Sequence, residues 1–163
     1  MSRSYNAVTC GECSLCCKLM GVSSINKPVN RWCRHCTKPG CAIYADRPHD
    51  CQEYACIWLQ SHEGEGLSHI EPMDVELKPS VCGGILDVTK DGETLLVHMN
   101  PGTDYRRGPL GRFIKRFSMI PRRVIIVEGV HRKVLWENTV LAEWNAADDD
   151  RQEFLLPQQV TPA

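Results

Sequence analysis

CGECSLCC, residues 10–17, sets four thiols in eight residues, two of them neighbours. A hydrophobic core has no use for sulfur at that density, and a disulfide closed inside so tight a loop is confined to dedicated redox motifs. The spacing Cys10-x2-Cys13-x2-Cys16 is a doubled Cys-x-x-Cys. It wraps the backbone so that two sulfurs face one ion while nearby N–H groups point at the thiolates, as zinc-thiolate and iron–sulfur sites require. Cys17 follows Cys16 directly. Adjacent side chains diverge, so two neighbouring metals, or different corners of a polynuclear cluster, suit this pair better than one tetrahedral ion.

Working outward, the chain has 163 residues and ten cysteines, and nine of the ten fall between positions 10 and 56. After the opening run come Cys33, Cys36, Cys41, Cys51 and Cys56, with only Cys82 beyond them. Residues 1–61 thus read as a cysteine-rich region, 68–147 as a small α+β body and 148–163 as a polar tail, forming one compact unit. The cysteine-rich region has few apolar periods and would bury little by itself, so bound metal is expected to hold it together with short helices. A closed zinc site takes four ligands, and a four-iron cluster takes a similar number of cysteines. Cys10, Cys13, Cys16, Cys17, Cys33, Cys36, Cys41, Cys51 and Cys56 therefore suffice for two such sites with one left over. His35 and His49 lie among them as substitutes or outer-shell partners. Cys82 reads as a small buried hydrophobe.

Composition excludes several classes. Hydrophobic residues make up 42% and charged residues 24%, with a formal net charge of -1, so no global field draws the chain to nucleic acid or membrane. No apolar run approaches the roughly 18 residues of a membrane span, and MSRSYNAV lacks the apolar core of a secretory signal. The cytoplasm is the expected compartment, where clustered thiols stay reduced and read as metal ligands or redox groups. No Ser-His-Asp set, P-loop or dinucleotide glycine pattern is present.

The body predicts its own elements. Residues 84–88 and 94–99 flank KDGE (90–93), a hairpin signal with Asp-Gly between β-rich runs. Leu110, Phe113, Ile114 and Phe117 follow helical spacing behind Pro109. Residues 123–128 read as a buried strand, with 134–136 returning from it across a turn at 129–133. The expectation is a small antiparallel sheet carrying one helix. In the cysteine-rich region, 51–59 predicts a short helix capped by Asp50, and HEGEG (62–66) a connector.

CGECSLCC together with WCRHCTKPGCAIYADRPHDCQEYACIWL (32–59) resembles the YkgJ-like, or CxxCxxCC, family of small, mostly bacterial zinc- or iron-chelating domains. The matching pieces are Cys10, Cys13, Cys16, Cys17, GCAIYADRP with Cys41, and Cys51 after Arg47-Pro48. The likeness covers roughly residues 10–60; WCRHC and Cys56 resemble features of a subgroup. It implies chelation of zinc or iron without naming a reaction. Some relatives are associated with flagellin lysine methylation, yet no methyl-donor pocket is visible. The run departs from ferredoxin spacing, which continues with three residues and Cys-Pro, and from radical-SAM spacing.

Three functional readings follow. The first is a metal-binding protein with a structural or metal-handling role. The second is a metal- or iron–sulfur-dependent enzyme for redox or methyl transfer. The third is a zinc-supported adaptor that binds nucleic acid or an acidic protein through Arg106, Arg107, Arg112, Lys115, Arg116, Arg122 and Arg123. Against the third stands a solvated helix face, with Tyr105 the sole base-stacking candidate outside the apolar stripe. Arg47 is expected to hydrogen-bond the anionic thiolate centre or to form an ordinary ion pair with Asp46 or Asp50. His62 and His69 bracket the connector as a weak second metal candidate.

Overall fold

The structure, a computed structural model, describes residues 12–37, 40–62, 71–89, 92–119 and 122–145. Cys10, His69, the Lys90-Asp91 turn and the 148–163 tail lie outside the described residues. The fold is α+β, with a two-stranded and a five-stranded sheet.

The body is built on the larger sheet, ordered β3 (Gly84–Val88), β4 (Thr94–Met99), β5 (Arg123–Glu128), β6 (His131–Trp136) and β7 (Thr139–Asn145). The 84–88/94–99 hairpin forms as expected, Ile85 opposite His98 and Leu86 opposite Val97. The expectation of an antiparallel sheet is corrected at one seam: β4 and β5 run parallel, Leu95 opposite Val124 and Val97 opposite Ile126. Residues 100–122 separate them and contain α5 (Gly108–Ser118), and a crossover of that length is what parallel neighbours require.

The helix lies where its apolar period predicts. Leu110 and Ile114 are buried against Leu95, Val97, Val124, Ile126 and Leu135, with Phe113 and Phe117 partly buried at the margin. Gly111 is needed for close approach, because a Cβ there would stand 2.3 Å from the Arg106 carbonyl.

Two features of the body were not anticipated. β6 begins at His131, directly after a turn at 129–130, and β7 follows through Glu137 and Asn138, both with positive φ (47° and 59°). That is the twist of a tight two-residue hairpin. Glu-Asn is a poor cue for it, since glutamate is rarely placed at positive φ.

The cysteine-rich region packs mainly on the opposite face of the sheet from α5, with Ile57 reaching the cluster on the α5 face. It contains α1 (Leu15–Leu19), the two-stranded β1 (Cys36–Thr37) and β2 (Gly40–Cys41), α2 (His49–Glu53) and α3 (Ile57–Ser61). The expected 51–59 helix is two helices broken at 54–56, and Pro48 rather than Asp50 precedes the first. A further short helix, α4 (Pro79–Cys82), leads into β3. Leu15 and Leu19 of α1 close on Ile85 of β3, which is fully buried, with Cys13, Cys16, Met20, Tyr54 and Cys56 around them. Lys18 Nζ reaches Asn100 Oδ1 at 2.6 Å, a second tie between the regions.

Ile85 joins the sheet to the cysteine-rich region, so Ile85→Ala is expected to cost about 3 kcal/mol of stability and to raise protease sensitivity within 12–62. Urea unfolding with limited proteolysis measures both. A loss under about 1 kcal/mol, with proteolysis unchanged, would mean the two regions do not lean on one another.

Candidate metal centre

Local backbone geometry gathers the thiols. Cys16 and Cys17 sit on α1, where the Met20 N–H donates to the Cys16 carbonyl. The Cys33 N–H donates to the Cys17 carbonyl at 2.9 Å, stitching the second Cys-x-x-Cys to the first. That second motif is itself a turn, Cys36 N–H to Cys33 carbonyl at 3.0 Å, and it runs into β1, where Cys36 pairs with Cys41 of β2. Cys51 lies on α2 and Cys56 at the start of α3.

Seven of the nine candidate ligands, Cys13, Cys16, Cys17, Cys33, Cys41, Cys51 and Cys56, line one cavity of about 310 Å3. Cys36 does not line it but lies within hydrogen-bonding reach of Cys17; Cys10 lies outside the described residues. The donor chemistry suits a soft or borderline cation. Among the described residues, no three Cys, His, Asp or Glu side chains are already placed to hold an ion. The thiols share a cavity without forming a closed coordination shell.

Lys27, Arg47 and Asp50 bring charge to the cavity, and Lys27 is the one that sequence reasoning passed over. The turn at 23–26, with Asn26 in the left-handed region, brings Lys27 back to pair with Val22. Its side chain is only 7% exposed. Its Nζ donates to the carbonyls of Lys18 and Met20 at the end of α1, and its charge acts on Cys16, Cys17, Cys33 and Cys51. Burial lowers the Lys27 pKa, and ionised thiolates would raise it again. Buried cation and thiolate therefore stabilise one another's charged forms.

The thiols are not equivalent. Hydrogen bonding from Cys16 above all, then Cys36 and the Lys27 charge, brings Cys17 down to about 6 against the effect of burial. Burial raises Cys36 and Cys51, with neighbouring thiols adding to the effect. Cys82 is separate from this set. Its thiol donates to the carbonyls of Leu77 and Gly84, and burial raises its pKa, in keeping with a packing role.

The remaining candidates divide. His35 lines the cavity, whereas His49 pairs with Glu53 at 3.3 Å on the surface. His62 is taken up by the Trp58 carbonyl at 2.8 Å and the Trp58 ring. Arg47 lines the cavity and stacks on Tyr44, 3.9 Å from its centroid; among the described residues it forms no ion pair with Asp46 or Asp50. The basic segment is partly neutralised from outside its own stretch: Arg106 and Arg107 share Asp104, and Arg112 reaches Glu76 at 3.6 Å. Tyr105 is buried in the core and so withdrawn from base stacking.

Under the cysteine-rich region the sheet face carries His98, which is buried, and Asp87, which is half-buried. Burial first, and the Arg132 charge second, bring His98 down to about 4. Burial raises Asp87 to about 6; it lies beside the Tyr54 hydroxyl, which is buried short of good hydrogen-bond geometry with any partner among the described residues. Burial, then the Asp87 charge, push the Tyr54 pKa up in turn.

Comparison with family models, with curated proteins and with solved structures finds no match.

His98 and Asp87 predict opposite pH dependences. Unfolded histidine takes a proton below its ordinary 6.5 while folded His98 refuses it until about 4, so its contribution is complete above 6.5 and is lost as pH falls toward 4. Folded Asp87 keeps its proton up to about 6 against an ordinary 3.8, so its contribution is complete below 3.8 and is lost as pH rises through 6. Between these limits His98→Gln should tilt stability downward with rising pH relative to the parent chain. Asp87→Asn should tilt it upward, each by up to about 1.4 kcal/mol per pH unit. Denaturant unfolding across that range reads the slopes; tilts of the same sign in both variants would refute the assignment.

Proposed function

We propose that the chain is a metal-binding protein that coordinates zinc or iron through clustered cysteine thiolates, in a metal-holding and metal-passing role. The observation that carries this reading is the convergence of seven thiols and one buried ammonium on a single cavity. The ligands are drawn from Cys13, Cys16, Cys17, Cys33, Cys41, Cys51 and Cys56, with Cys36 at the margin and Cys10 contributed from the opening motif. The resemblance of CGECSLCC and the 32–59 stretch to the YkgJ-like family agrees with it.

Bound metal would supply what the region otherwise lacks: a charge that draws the thiolates together and a cross-link between segments distant in sequence. Lys27 offsets part of the negative charge that four or more thiolates leave uncompensated around a divalent ion. Such a centre suits a reducing compartment, the cytoplasm being the expected one; no helix among the described residues is long and apolar enough to cross a membrane. The adaptor reading loses support from the acids drawn against the basic segment and from the burial of Tyr105.

Anaerobic purification without chelator, followed by assay of zinc, iron and sulfide, tests the proposal. Stoichiometric metal is expected, with sulfide accompanying iron if the centre is a cluster. Cys17→Ser should weaken metal retention at least as much as the roughly 10- to 100-fold that outer-shell substitutions cost, while Cys82→Ser should leave it unchanged. A metal-free chain fully ordered over 12–62 would refute the proposal.

A further inference from the structure

About 310 Å3 is open among the thiols, within the range of small-molecule sites. Much of the wall is carbon, from Val22, Ile25 and Ile43 among others.

Two residues of that wall, Arg47 and Tyr54, each carry a buried polar atom with no hydrogen-bond partner among the described residues, and of the two only Arg47 is a cation. Arg47 Nε is buried without an acceptor. The guanidinium lies over the Tyr44 ring, and among the described residues neither neighbouring aspartate pairs with it. A buried donor left in this way is costly. The planar fork of a guanidinium matches a carboxylate.

Building on the metal reading, we propose that the cavity admits a small thiol bearing a carboxylate, the carboxylate held by Arg47 and the sulfur directed among the cysteines, so that metal enters and leaves as a complex of that thiol. Soft donors on the carrier match soft donors on the protein. The step is ligand exchange. The bond from metal to carrier sulfur breaks as a bond from metal to cysteine sulfur forms, and the proton released by the incoming cysteine thiol passes to the departing carrier sulfur. No oxidation state changes, and release runs the same step in reverse.

The test uses the full chain loaded with zinc, its zinc content measured first. Zinc extraction by 3-mercaptopropionate and by its methyl ester is followed with a chromogenic zinc indicator at equal thiolate concentration. The acid is expected to extract zinc about tenfold faster than the ester, and plain propionate should slow the acid without affecting the ester. In Arg47→Gln the acid and ester rates should become equal. Equal rates in the parent chain, or a ratio that survives Arg47→Gln, would overturn the carrier site while leaving metal binding intact. The acid–ester comparison in the parent chain decides the matter even if the variant fails to fold. A chain that takes up neither zinc nor iron would overturn both.

Discussion

Thiols that share a cavity with a buried ammonium impose the main constraint on this molecule. Thiolates at close quarters repel, and a lysine with 7% exposure is unfavourable when nothing anionic faces it. Each problem offsets the other. Lys27 is held by carbonyls at the end of α1, the helix that carries Cys16 and Cys17, so the cation and two of the thiols belong to one local structure. The remaining cysteines are brought to that structure by backbone hydrogen bonds, Cys33 to Cys17 being the link that closes the loop.

The five-stranded sheet provides the platform. One face buries the apolar stripe of α5; the other receives Leu15 and Leu19 at Ile85. The face toward the cysteine-rich region is not wholly apolar, since Asp87, His98 and Arg132 stand among its aliphatic neighbours. Arg132 is engaged by the carbonyls of Gly129 and His131. Burial favours the neutral form of His98 and of Asp87, one by excluding a proton and the other by retaining it, so the platform tolerates both without an ion pair between them.

Surface charge follows another logic. Within its own stretch the basic segment is unopposed; in space Asp104 and Glu76 take three of its arginines, and Arg122 lies over Phe117. Exposed pairs of this kind add little stability, but they reduce the local field that an anionic polymer would need. At the thiol cavity, Arg47 and Lys27 flank sulfur and carbon.

What the sequence by itself determined follows from residue chemistry and short-range spacing. The crowding of nine cysteines into residues 10–56 marks the region as thiol-based, the apolar period of 110–117 specifies a helix, and the β-rich runs at 84–88, 94–99 and 123–128 specify strands. The parallel β4–β5 pairing was readable from the helix lying between those strands, though the expectation was antiparallel. β7 carried no clear turn cue, because its hairpin places Glu137 and Asn138 at positive φ where glycine is the usual signal. The gathering of seven thiols on one cavity, the return of Lys27 beneath α1, and the stacking of Arg47 on Tyr44 instead of pairing with an aspartate were decided only by the tertiary structure. Local propensity acts over a few neighbouring residues. Which groups share a dry cavity depends on how segments far apart in the chain exclude water together.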